Sequence, residues 1–123
     1  DGWKVSNPAL FSMVPLKTSL EMFREVGFDA LRERSIRLTQ YLEKGIQTID
    51  GIKSITPENP ERRGCQISVR VNGDAAALEK KLILDGVVPD ARDPDVVRFA
   101  PVPMYSSFSD IARAIQKIKK LVS

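Results

Sequence analysis

One arginine stands out as a group placed to do chemistry. Arg98 lies between Val96, Val97 and Phe99, at the start of a stretch, Val96 to Asp110, that reads as a short apolar strand, a double-proline loop and a helix start. A guanidinium in apolar surroundings is costly unless something pairs with it. Its planar fork matches carboxylates and phosphates, which it can hold with two parallel hydrogen bonds. From the residues alone three readings stay open: an internal ion pair, a charge on the exposed face of an edge strand, or a receptor for an external anion. Other groups offer less. The chain has no histidine, which removes the commonest general base and most histidine-based metal sites. Its seven glycines are scattered and match neither a phosphate loop nor a dinucleotide fingerprint. Cys65 opens an alternating apolar run, so it reads as a buried structural thiol rather than a nucleophile.

The 123 residues suffice for one small domain with its own core. Net charge is +3, with both signs interspersed, and no basic patch is interleaved with aromatics. Neither nucleic acid nor membrane is therefore expected as a partner. The lone cysteine cannot form an internal disulfide, and a reducing, cytoplasmic setting is the default. The chain opens on Asp1-Gly2-Trp3 without an initiator Met, which reads as the interior of a longer protein.

The elements that must position Arg98 follow from periodicity. Asn7 reads as a helix N-cap before Pro8. Pro8 to Val26 is helical, with Pro15 expected to kink or divide it and Gly27 to stop it. Its first half is apolar nearly all round, so it should need cover from another domain or subunit. Residues 28–49 form an amphipathic helix with Leu31, Leu38, Leu42, Ile46 and Ile49 facing a core and a charged face that includes Glu43. Ile52 to Thr56 is a strand, Glu58 to Gly64 a loop, and Cys65 to Val71 a strand of period two. Residues 75–85 form a helix ended by Gly86, and Val87-Val88 begins a short extended piece. Asp90 to Asp95 reads as a turn, followed by the strand of Arg98. Ser107 and Asp110 have capping-box spacing, and Ile111, Ile115, Ile118 and Val122 mark a last helix. The pattern predicts an α+β fold, a small and mostly antiparallel sheet covered on one face by helices. If Val97 and Phe99 face those helices, Arg98 faces the other way with Val96 and Ala100.

Several stretches, taken together and in order, resemble the C-terminal part of the kynureninases. They are Trp3-Lys4-Val5-Ser6-Asn7-Pro8, Arg63-Gly64-Cys65-Gln66, Asp90-Ala91-Arg92-Asp93-Pro94, and Val97 to Tyr105. The resemblance runs along essentially the whole chain. It implies a C-terminal small domain, spanning 1–123, of a PLP-dependent enzyme with the aspartate-aminotransferase-like fold. Such enzymes hydrolyse kynurenine or 3-hydroxykynurenine to an anthranilate and alanine, and work as homodimers. The resemblance also implies roles. Arg98 matches the arginine that binds the substrate α-carboxylate, and Asn7 with Ser6 matches a segment at the substrate's aromatic end. Arg92 and Tyr105 lie in matching stretches without an assigned role.

None of the lysines sits in a motif matching the family's Schiff-base lysine, so the large PLP-binding domain is expected outside this chain. No residue here is expected to be catalytic, to hold the cofactor or to bind a metal, and the chain alone is expected to be inactive. Two alternatives remain: the C-terminal domain of another PLP lyase or transferase, such as a cysteine desulfurase, and a free-standing amino-acid-binding or interaction module.

Overall fold

Eight helices and strands are what the residues call for, and a computed structural model describes residues 9–122. The chain divides into two units, residues 1–31 and residues 32–123. The first unit contains α1 (Leu10–Val26), a continuous helix across Pro15 rather than two pieces. Ser19 donates its hydroxyl to the Pro15 carbonyl at 3.0 Å. Gly27 ends the helix at φ +87°, a conformation that side chains with a Cβ rarely adopt. No described residue of α1 is buried, and Phe11 is 96% exposed. The N-cap expected at Asn7 lies outside the described residues.

α2 (Phe28–Ile46) carries the long amphipathic pattern into the second unit. There follow β1 (Ile52–Ser54), a single 3-10 turn over Pro60–Arg62, β2 (Ile67–Val71), α3 (Ala75–Leu84), β3 (Asp90–Arg92), β4 (Val96–Phe99) and α4 (Phe108–Val122). The four strands form one antiparallel sheet in the order β1-β2-β4-β3. One face is apolar, because alternate residues of each strand turn the same way. Ile67, Val69, Val71, Val97 and Phe99 are buried there against Leu38, Leu42, Ile46, Leu78, Leu82, Ile111 and Ile118 of the helices. The α+β sheet with helices on one face is thus the architecture formed.

Local signals set the element ends. Asp74 caps α3, its Oδ1 accepting from Ala76 N at 2.8 Å and Ala77 N at 3.1 Å. The Ser107–Asp110 capping box forms in both directions, Asp110 N donating to Ser107 Oγ at 3.1 Å and Ser107 N to Asp110 Oδ2 at 2.8 Å. The Asp110 carboxyl is held below the usual carboxylate range by the Ser107 hydroxyl first, which donates to Oδ2 at 2.7 Å, then by the Ser107 backbone N–H and by Arg113. α2 and α4 pack closely at Gly45: a Cβ there would collide with Ile115 Cδ1.

Four expectations need correcting. Asp90 to Asp95 is not all turn: Asp90–Arg92 pairs with Val96–Arg98 as the edge strand β3, and only residues 93–95 turn. The ladder to β4 on one side holds β3. On the other, Glu79 Oε1 of α3 accepts from Ala91 N at 2.9 Å. Cys65 is half-buried and lies before β2, not inside it. The strand at 52–56 is only three residues long. Glu43 is not on a solvated face but buried. It accepts from Arg63 Nη1, with both side chains nearly sealed, 2% exposed for Arg63 and 8% for Glu43.

Candidate functional site

β4 is an interior strand, with β2 on one side and β3 on the other, so Arg98 is not an edge-strand charge. Val97 and Phe99 are buried against the helices, while Val96 and Arg98 are half-buried and Ala100 is exposed. Arg98 therefore belongs to the sheet face turned away from the core, as period two requires.

The register sets its neighbours. Ser68 of β2 and Asp90 of β3 stand directly opposite Arg98. Asp90 Oδ2 accepts from Arg98 Nε at 2.6 Å and also from Arg98 Nη2. The same oxygen accepts from Arg92 Nε at 3.2 Å and Arg92 Nη2 at 3.0 Å. The carboxyl of Asp90 is accordingly held below its ordinary range, by the Arg98 hydrogen bond first and the Arg92 contacts after it; partial desolvation opposes them. One row along, Arg70, Val96 and Arg92 lie opposite one another, with Lys53 opposite Arg70 on β1. Arg70 pairs with Asp95 at 2.9 Å. The face is thus rich in guanidinium groups, partly neutralised by two aspartates. Such a surface suits a small carboxylate.

The loop after β4 is braced from α2. Arg34 Nε donates to Pro103 O and Arg34 Nη2 to Ser106 O, each at 3.0 Å. Tyr41 meets the Phe108 ring edge-on at 5.6 Å, and the Arg37 guanidinium lies 5.8 Å from the centre of the same ring. This loop borders an open groove of about 540 Å³ lined by Phe99, Ala100, Pro101 and Tyr105 among others. Arg98 does not line it. Tyr105 is exposed at the groove rim.

Of the three residues the sequence points to, the structure places Arg98; Asn7 and Ser6 lie outside the described residues. Asp90 was missed as its partner. The signal was there: reading Asp93-Pro94-Asp95 as a hairpin turn pairs residue 92 with 96 and therefore 90 with 98. Arg63 of the Arg63-Gly64-Cys65-Gln66 stretch now has a structural task, closing over Glu43 and donating to Pro57 O at 3.1 Å. Its Nε is buried without a partner among the described residues. No cluster of metal-binding side chains occurs among the described residues, and no helix described is long and apolar enough to cross a membrane.

Comparison with known proteins bears on the fold and the family. Three solved structures share the fold at low sequence identity. A C-DES mutant with glycine covalently linked to its PLP cofactor superposes with a TM-score of 0.80 at 15% identity, over 95% of this chain and 31% of that one. A NifS-like protein gives 0.79 at 17% identity, over 94% and 34%. A phosphoserine aminotransferase from Cytophaga hutchinsonii gives 0.76 at 13%, over 96% and 34%. Closer in sequence are a kynureninase from Salinispora tropica, 50% identical over 99% of this chain, and one from Koribacter versatilis, 43% identical over 95%. The chain spans only 30% and 28% of the length of these two relatives. A family model described as the kynureninase C-terminal domain matches residues 31–118, a span that includes Arg63, Asp90, Arg92 and Arg98. The chain belongs to the kynureninase C-terminal domain family.

Proposed function

We propose that this chain is the small C-terminal domain of a PLP-dependent kynureninase and that it receives the substrate's α-carboxylate on Arg98. The full-length protein would be a hydrolase of tryptophan catabolism, and so of the route to NAD. It would cleave kynurenine or 3-hydroxykynurenine to anthranilate or 3-hydroxyanthranilate and alanine, acting as a cytoplasmic homodimer. One observation carries the reading. Arg98 sits on an interior strand, faces away from the core and is 30% exposed. Among the described residues, its Nη1 donates to no neighbour. An arginine held by the sheet yet not fully used is suited to bind a ligand carboxylate rather than only to brace the fold.

The substrate has its carboxylate and its aromatic ring at opposite ends. Arg98 would fix the first, and Asn7 with Ser6 the second, so that the bonds at the α-carbon are held in one orientation. PLP, when bound, supplies the electron sink for those bonds. The residues of this face do not suit holding PLP themselves. They are mostly guanidinium groups, which stay protonated and cannot form the covalent lysine link that PLP needs, and Lys53 of the same row sits in no stretch matching the family's Schiff-base lysine. The large domain of the full-length protein is where the cofactor would be held, and this chain's share is binding and orientation.

Family membership favours this reading over a cysteine desulfurase. The test is kinetic. In the full-length protein, Arg98→Ala should lower kcat/KM for kynurenine by about 10²- to 10³-fold, the usual cost of removing one partner of a desolvated charge pair. Arg98→Lys should fall between, keeping the charge and losing the fork. A kcat/KM for kynurenine that stays within about threefold of wild type in Arg98→Ala would sink the assignment.

A further inference from the structure

Arg98 has two usable edges for a carboxylate, and Asp90 takes one of them. Asp90 Oδ2 holds the side edge, Nε at 2.6 Å together with Nη2. The end edge, Nη1 with the second hydrogen of Nη2, makes no hydrogen bond among the described residues. An arginine side chain on its own has many rotamers, and holding its side edge removes most of them. Asp90 is well placed to do this. Its backbone lies in β3, directly opposite Arg98 in the ladder. Its neighbour Ala91 is tied to Glu79 of α3. Its carboxylate is also gripped by Arg92, through Nε at 3.2 Å and Nη2 at 3.0 Å. Two guanidinium groups share one carboxylate, so the cluster keeps one net positive charge and still attracts a second anion. The other aspartate of this face, Asp95, is engaged by Arg70 and does not compete for Arg98.

We propose that Asp90, steadied by Arg92, is a positioning residue that sets the free Nη1–Nη2 edge of Arg98 to receive the substrate carboxylate. This rests on the reading of Arg98 as the carboxylate receptor. A charge this close could act in the opposite sense, as an internal competitor that substrate must displace, and the two possibilities differ in sign. A positioning Asp90 makes KM rise on its removal; a competing Asp90 makes KM fall.

The experiment uses the full-length protein with its cofactor bound, and two probes, kynurenine and kynurenine α-carboxamide. Asp90→Asn should raise KM for kynurenine about tenfold or more with kcat changed far less, as expected for a lost charge-assisted hydrogen bond. The preference for kynurenine over its carboxamide should shrink by the same factor. Asp90→Glu, which restores the carboxylate, should recover most of both. In an Arg98→Ala background, Asp90→Asn should add nothing, because Asp90 acts only through Arg98. If Arg98→Ala leaves the acid-over-amide preference intact, the carboxylate reading itself fails. If Arg98→Ala abolishes the preference but Asp90→Asn leaves it and KM unchanged, or lowers KM, the Asp90 inference alone is overturned.

Discussion

Arg63–Glu43 and Arg98–Asp90 are the same two functional groups in opposite surroundings. Arg63 and Glu43 close on each other between α2 and the loop before β2, with both side chains almost out of water. Arg98 and Asp90 meet on the sheet face turned away from the core, 30% and 48% exposed. In the sealed pair each charge depends on its partner, because no water can replace it. In the open pair either group can be solvated, and the guanidinium keeps an edge for something else. Charge pairing alone therefore does not separate structure from function here, and neither does an unused donor, since Arg63 Nε also lacks a partner among the described residues; a donor edge that solvent can reach does.

Breaking the sealed pair should have the largest effect. Glu43→Ala leaves a buried guanidinium uncompensated and should cost about 3–5 kcal/mol in urea unfolding. Replacing both, Glu43→Leu with Arg63→Met, should recover most of that loss, since a well-packed apolar pair is often as stable. By contrast, Asp90→Asn should lower the unfolding midpoint far less than Glu43→Ala does, while altering kynurenine KM. A midpoint that dropped as far as in Glu43→Ala would erase the distinction between the two pairs. A smaller effect tests whether the sealed side resists added volume as it resists unpaired charge. Gly45→Val should destabilise by about 1–3 kcal/mol, because its side chain enters the space of Ile115, whose Cγ1 lies 2.7 Å from a Cβ at that position. Ile115→Ala in the same protein should relieve part of the clash.

The smallest effect is in pH. Asp90 has its folded-state carboxyl lowered below 3.8 by Arg98 and then Arg92. A lowered pKa contributes stability that is fully present above the unfolded value and is lost as pH falls through the folded one. Unfolding followed below about pH 4 should thus show a slightly shallower acid limb in Asp90→Asn than in wild type. An identical limb would mean that the pair contributes nothing to folding.

The core was legible because burial imposes a period. Leu38, Leu42 and Ile46 on α2 and Ile67, Val69 and Val71 on β2 could be read directly and are buried together. The direction of Arg98 followed from the same rule applied to Val97 and Phe99. Partners distant in sequence were not legible. Glu43 looks like part of a charged face until Arg63, twenty residues on, is brought against it. Yet Ser35, Thr39 and Glu43 recur at spacings of four and form a buried polar stripe beside the leucines, with Thr39 Oγ1 donating to Ser35 O at 2.9 Å. Asp90 was hidden for a different reason. Aspartate and arginine around a proline have turn composition, and only the pairing with β4 and the contact from α3 make Asp90–Arg92 a strand. Ser6 and Asn7 are expected at the site through family resemblance alone, and lie outside the described residues.

The Glu79 contact has a consequence for assembly. β3 is an edge of the sheet, and an edge strand's outward N–H groups are a template on which a strand from another chain can add. Ala91 N is already occupied by Glu79 Oε1. A foreign strand arriving at this edge would have to displace a carboxylate and strand it beside the incoming backbone carbonyls. The hairpin that carries Asp90 is thereby closed to sheet growth, and the arrangement opposite Arg98 is kept from being pulled into a neighbouring molecule's ladder.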